Sequence, residues 1–257
     1  MVGMFDPNLR DQLQAACERG QAQLIATDYL AAAVTLAAAE ATTWDAEDFD
    51  TLARLYMPLQ EARRQIRLRA GEGTVNLHVI AGSAGHAIDP AAVLAAHPHG
   101  QLLVAGWGTT APAAAVRRLA FEQGRYVETF LAAAYPSPTD QPLVAVLPFD
   151  GVLPDPVPRP TDELLDLLPA GSLVLHATDL PAVTRRGTPD TFAAVTAIWD
   201  RLHAPFLADA DAEPDPVQRM AAYRRTIAVD PGCEFAHQRL SATAHELARQ
   251  RARGVRG

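Results

Sequence analysis

The chain has 257 residues, enough for one large domain or two modest ones, and its hydrophobic fraction of 49% and charged fraction of 20% suit a globular protein with a sizeable core. A net charge of −8 argues against general nucleic-acid binding, which needs a positive surface to neutralise phosphates. No apolar run reaches the ~18 residues needed to span a bilayer, and the N-terminus lacks a basic stretch followed by an apolar one, so neither a membrane partner nor a signal peptide is expected.

All 22 basic residues are arginine. The missing lysine removes the P-loop lysine, the pyridoxal Schiff base and the lysine general base. For Cys17 and Cys233, two free thiols in a reducing cytoplasm is the simpler expectation, with a disulfide between them as the alternative. Arginines gather at Arg63, Arg64, Arg67 and Arg69, and again at Arg249, Arg251, Arg253 and Arg256. Both groups read as solvated helix faces.

Residues 1–73 read as a helical region. Asp6 caps a first helix that has Pro7 at its first position, and Leu9, Leu13, Ala16 and Cys17 follow at helical spacing. A break near Ala26 and Thr27 precedes a second helix from Asp28 to about Thr42. The third begins after Asp45, carries Phe49, Leu52, Tyr56, Leu59 and Ile66 on one face, and should be kinked or split by Pro58. Residues 71–73 end the region.

Gly20, Asp28-Tyr29, Ala32, Leu36 and Ala39 place small residues where two antiparallel helices approach and larger ones between them. In this they resemble a tetratricopeptide repeat, though the family's tryptophan–leucine pattern is missing from the first helix. A second stretch, in 188–257, resembles the same family. Asp215-Pro216 opens a helix holding Tyr223, Thr226 and Ile227, it closes on Val229-Asp230-Pro231, and the next helix offers His237, Leu240 and Ser241. The resemblance implies packed helix pairs and a protein or peptide partner; it does not imply an enzyme.

The middle, residues 74–187, reads as an α/β core. Strands are expected at 75–81, 102–105, 126–134, 143–147 and 173–176. Asp89-Pro90 starts the first intervening helix, and Pro112 to Gln123 gives the next, which Gly124 stops. The alternation predicts a mostly parallel, Rossmann-like, three-layer core flanked by the tetratricopeptide-like helices. The 126–134 stretch has no clearly buried face, so a helix is the alternative there. Eight prolines fall between Pro136 and Pro160, which makes 136–160 a loop region with room for one short strand. A helix over 161–168 precedes the last strand. Thr188-Pro189 then caps a long helix with Phe192, Val195, Ile198, Trp199 and Leu202, and the acidic 209–215 segment links it onward.

Chemistry-bearing residues concentrate at the strand ends. Ala81-Gly82-Ser83-Ala84-Gly85 after a strand resembles an alanine variant of the α/β-hydrolase nucleophile elbow, and Asp150 and His176 follow in that family's order. Such a site would use His176 as base, Asp150 to orient it and backbone N–H groups for the oxyanion. Against that pattern, only helices precede Ser83, and no glycine-rich oxyanion motif lies upstream. The plainer alternatives are a structural turn, or a ligand loop in which Gly82, Ser83, Gly85 and His86, with Gly106, Gly108, Thr109 and Thr110, present N–H groups to a phosphate or carboxylate. The dinucleotide glycine spacing is absent, and no motif names a cofactor. His97-Pro98-His99, with His78 and His86, lacks the companion ligands of a zinc site, so no metal is expected. The sequence therefore leaves two functions open: a protein-interaction or scaffold protein, or a small-molecule-binding protein or enzyme that uses the glycine loops.

Overall fold

The computed structural model describes residues 7–138 and 141–254. The expected Asp6 cap, the Arg256 end of the arginine tail, and Thr139 and Asp140 of the Pro-rich stretch lie outside those residues. In chain order the elements are α1 (Pro7–Ile25), α2 (Tyr29–Asp45), α3 (Phe49–Glu72), β1 (Thr74–Ile80), α4 (Pro90–Ala96), β2 (Gly100–Trp107), α5 (Ala111–Glu122), β3 (Val127–Tyr135), β4 (Leu143–Leu147), α6 (Thr161–Leu167), β5 (Leu173–His176), α7 (Pro189–Ala212), α8 (Pro216–Val229) and α9 (Glu234–Gly254). They form two compact units, Met1–Ile66 with Phe206–Gly257, and Arg67–Pro205.

The first unit is helical and joins both ends of the chain. Asp28 caps α2 by accepting from the Ala31 N–H at 3.3 Å, and Asp215 caps α8 by accepting from the Val217 and Gln218 N–H groups. Leu13 of α1, Leu36 and Ala39 of α2, and Leu55 and Leu59 of α3 share one apolar cluster. Gly20 is where α1 meets α2: a methyl group there would stand 2.5 Å from Leu36 Cδ2, closer than packed carbon atoms allow. The other cluster brings Phe49, Leu52 and Tyr56 of α3 against Met220, Tyr223 and Ile227 of α8 and Ala236, Leu240 and Ala244 of α9. Ser241 Oγ donates to the Ala53 carbonyl across the same contact. Pro58 neither splits nor ends α3. Leu55, Tyr56 and Leu59 around it are fully buried, and their packing outweighs one missing backbone hydrogen bond.

The second unit is a mixed α/β structure with helices flanking a central sheet. The strand order is β1-β2-β3-β4-β5. β1, β2 and β3 pair in parallel, whereas β4 runs antiparallel to both β3 and β5. This corrects the expectation of a mostly parallel sheet, because two of the four strand pairings are antiparallel. For β3 and β4, chain length is the reason. A parallel return needs a crossover of roughly a dozen residues or more, and the link between Tyr135 and Leu143 is far shorter. The 126–134 stretch is a strand with no exposed face to read, since Phe130, Ala132, Ala133 and Ala134 are all buried.

On one face of this sheet, α4 and α5 cover Leu102 and Val104. On the same face α6 covers Leu131, Ala133, Leu143, Ala145 and Leu147. Right-handed crossovers between sequential parallel strands put α4 and α5 on one side. The other face carries Phe130, which stacks on Trp199 of α7 with ring centroids 4.3 Å apart, and Gln101, which is bonded to Glu128. Thr188 caps α7, its Oγ1 accepting from the Thr191 N–H at 3.2 Å. The expected acidic linker is partly helical, since α7 continues to Ala212.

Candidate functional site

The structure spreads the residues singled out at the strand ends over separate places. Ser83 lies in the exposed turn after β1, at one edge of the sheet, and His176 closes β5 at the other edge. Four inter-strand steps of about 4.8 Å each separate those strands. Asp150 is engaged elsewhere: its Oδ1 accepts from Thr110 Oγ1 at 2.6 Å and from the Gly151 N–H at 3.1 Å. His176 Nε2 lies 3.5 Å from Thr161 Oγ1. Ser83, Asp150 and His176 are thus not within hydrogen-bond reach of one another.

The two glycine turns differ. At the first, the Gly82 N–H donates to His86 Nδ1 at 3.2 Å, so the turn closes on its own side chain. Gly82 and Gly85 face open space. The second is filled from within. A Cβ on Gly106 would stand 2.8 Å from Pro112 Cδ, and one on Gly108, whose φ is +62°, would stand 2.9 Å from Pro156 Cγ. Thr109 Oγ1 accepts from the Ala111 N–H at 3.2 Å. The strand order is sequential, so these loops flank no reversal of strand order, the place where doubly wound sheets hold ligands.

The histidines also go separate ways. The β1–β2 register shifts between Asn76 and Val79, and His78 there is exposed, its Nε2 meeting the Pro181 carbonyl at 3.0 Å. His97 Nε2 lies 3.1 Å from Asn76 Nδ2, and His99 Nε2 bonds the Arg69 carbonyl. Among the described residues, no three His, Cys, Asp or Glu side chains gather as a metal site.

Two buried polar groups deserve comparison as sites. In the α/β unit, Arg67 Nε and Nη2 both donate to Glu128 Oε1, at 2.9 and 2.7 Å. Gln101 Nε2 donates to Glu128 Oε2 at 2.9 Å, and the guanidinium lies 5.0 Å over the Trp199 ring. In that cluster the arginine and the carboxylate neutralise each other. The helical unit instead holds an open cavity of about 470 Å³, within the range of small-molecule sites.

Glu40, Tyr56, Arg63, Arg224, Arg225 and His237 provide the cavity's polar lining. Glu40 is already engaged: its Oε1 accepts from Arg224 Nε at 2.7 Å and from Tyr56 Oη at 3.2 Å. Arg224 is further held 4.2 Å over the Trp44 ring. Burial, and then the Glu40 charge, push the Tyr56 phenol well above its ordinary value, so it remains a donor. Among the described residues, Arg63 meets no carboxylate within ion-pair distance. Its Nη1 lies 3.3 Å from Nε2 of His237, a fully buried ring. Burial pushes Arg63 down to about 10, partly offset by Glu40. His237 is pushed down to about 3 by burial and by Arg63, which leaves the imidazole neutral. The same Nε2 is 3.2 Å from the Pro231 carbonyl, and Nδ1 is buried without a partner among the described residues.

Sequence reading placed Arg63 in a solvated cluster and His237 in a repeat pattern, and so missed both. The signal was present for Arg63. It continues the Phe49, Leu52, Tyr56, Leu59 stripe at helical spacing and fills the gap before Ile66, which puts it on the inward face.

No family model matches the chain, and no curated protein or solved structure matches it significantly. Among the described residues, no helix is long and apolar enough to cross a membrane.

Proposed function

We propose that the protein is an interaction or scaffold protein whose tetratricopeptide-like helical unit, assembled from both ends of the chain, receives a protein or peptide partner. One observation carries this reading: α3 packs on α8 and α9 through Tyr56, Tyr223 and Leu240 in one apolar cluster. Each end supplies too few helices for a stable repeat array by itself. Joined, they give the hairpin α1–α2, then α3, then α8–α9. The close approach of Gly20 to Leu36 and the buried Asp230 at the α8–α9 turn support the repeat-like character. The free thiols of Cys17 and Cys233 accord with a reducing compartment such as the cytoplasm.

The test is a peptide array probed with the full chain, followed by calorimetric titration of the peptides that bind. Val34→Glu and Phe235→Glu alter exposed apolar residues of α2 and α9, while Phe121→Glu and Val183→Glu do the same in the α/β unit. The reading expects binding to weaken at least tenfold only in the first pair. Loss confined to the second pair, or an array without any specific binder, contradicts it.

A further inference from the structure

We propose that the Arg63–His237 cavity of the helical unit binds a small organic oxyanion: a carboxylate or phosphate head group on a short apolar body. The inference is independent of the partner reading above. Arg63 and Arg224 share the polar lining with the carboxylate of Glu40, so positive charge is concentrated here in a chain whose net charge is −8. Glu40 is taken by Arg224 and Tyr56. Arg63 therefore presents a guanidinium with five N–H donors to a single ring nitrogen, His237 Nε2, among the described residues. A partly buried guanidinium is stabilised by an anion, and its planar fork fits a carboxylate or phosphate through two parallel bonds.

His237 gives a second, separate reason. Its Nε2 faces both an Arg63 donor at 3.3 Å and the Pro231 carbonyl acceptor at 3.2 Å. A neutral ring nitrogen accepts or donates, but it cannot do both. If Nε2 accepts from Arg63, the Pro231 carbonyl loses that bond and the N–H at buried Nδ1 has no acceptor. If Nε2 carries the proton, Pro231 is satisfied and Arg63 is left without its partner. An anion on Arg63 resolves the conflict, because the guanidinium turns to the ligand and the ring donates to Pro231. Leu59, Ile227, Pro231 and Leu240 supply the apolar walls, which is where the body of the ligand lies.

The experiment titrates the full chain with hexanoate, hexyl phosphate and, as the opposite charge, hexylamine, reading both melting temperature and calorimetric heat. At least one anion should raise the melting temperature saturably, and hexylamine should not. The better anion identifies the head group, carboxylate or phosphate. Arg63→Gln should weaken that binding at least tenfold and Arg63→Lys by less. Ala228→Trp, placed at the exposed rim, should also weaken it with Arg63 intact, and it decides the matter if Arg63→Gln fails to fold. No saturable shift with either anion, undiminished binding in the folded variants, or equal binding of hexylamine overturns the proposal.

Discussion

Arg63 and Arg67 stand one turn apart on α3, yet each belongs to a different unit and meets a different fate. In the α/β unit Arg67 is bound by a carboxylate at 2.7 Å, which Gln101 in turn holds. In the helical unit Arg63 lies against a neutral histidine beside an open cavity. A buried cation held by its own carboxylate belongs to the architecture. One left facing a ring nitrogen and open space marks a place for something else.

The completed pair should be costly to break. Glu128→Ala strands Arg67 beneath Trp199 and should destabilise the protein by about 3–5 kcal/mol, measured by urea unfolding. A loss near the value of an exposed ion pair, below about 1 kcal/mol, would mean that Arg67 is not held as described.

Helix packing in the helical unit comes next. Gly20→Val places a branched side chain where even a methyl group meets Leu36, and should cost about 1–3 kcal/mol through overpacking. Stabilisation, as expected from a glycine replaced in an unhindered helix, would show that α1 and α2 do not approach closely.

The histidine gives a pH test. Folded His237 is depressed to about 3 from an ordinary value of 6.5, so the unfolded chain binds the extra proton between those limits. Its contribution to stability is complete above pH 6.5 and is lost as pH falls toward 3. The limiting slope is about 1.4 kcal/mol per pH unit. Comparing urea midpoints at pH 7 and 5, the wild-type chain should lose more stability than His237→Gln does. Equal losses would place the imidazole in water.

The smallest effect belongs to the turn after β1. Ser83 is exposed, and Ser83→Ala should shift stability by no more than about 0.5 kcal/mol, with anion binding at the Arg63 cavity unchanged. A larger change would give that turn a role its geometry does not supply.

Local signals in the sequence located most elements. Asp28, Asp89, Asp215 and Thr188 mark helix starts through side chains that accept from backbone N–H groups. What sequence could not show were the long-range pairings. The direction of β4 depends on how far its connections reach, and the 126–134 strand lost its alternation because both faces are buried. The candidate site was the least legible. Arg63 and His237 are separated by 174 positions and meet only because the chain ends fold together. Ser83, by contrast, drew attention through a local motif that the sheet order leaves without partners.

That meeting of the ends is tested most directly by a double-mutant cycle between Glu40 and Arg224, 184 positions apart and in contact at 2.7 Å. Stabilities of the wild type, Glu40→Gln, Arg224→Gln and the double variant, from urea unfolding, should give a coupling energy of about 1–2 kcal/mol. Simple additivity, with a coupling within about 0.3 kcal/mol of zero, would contradict a helical unit built from both ends of the chain.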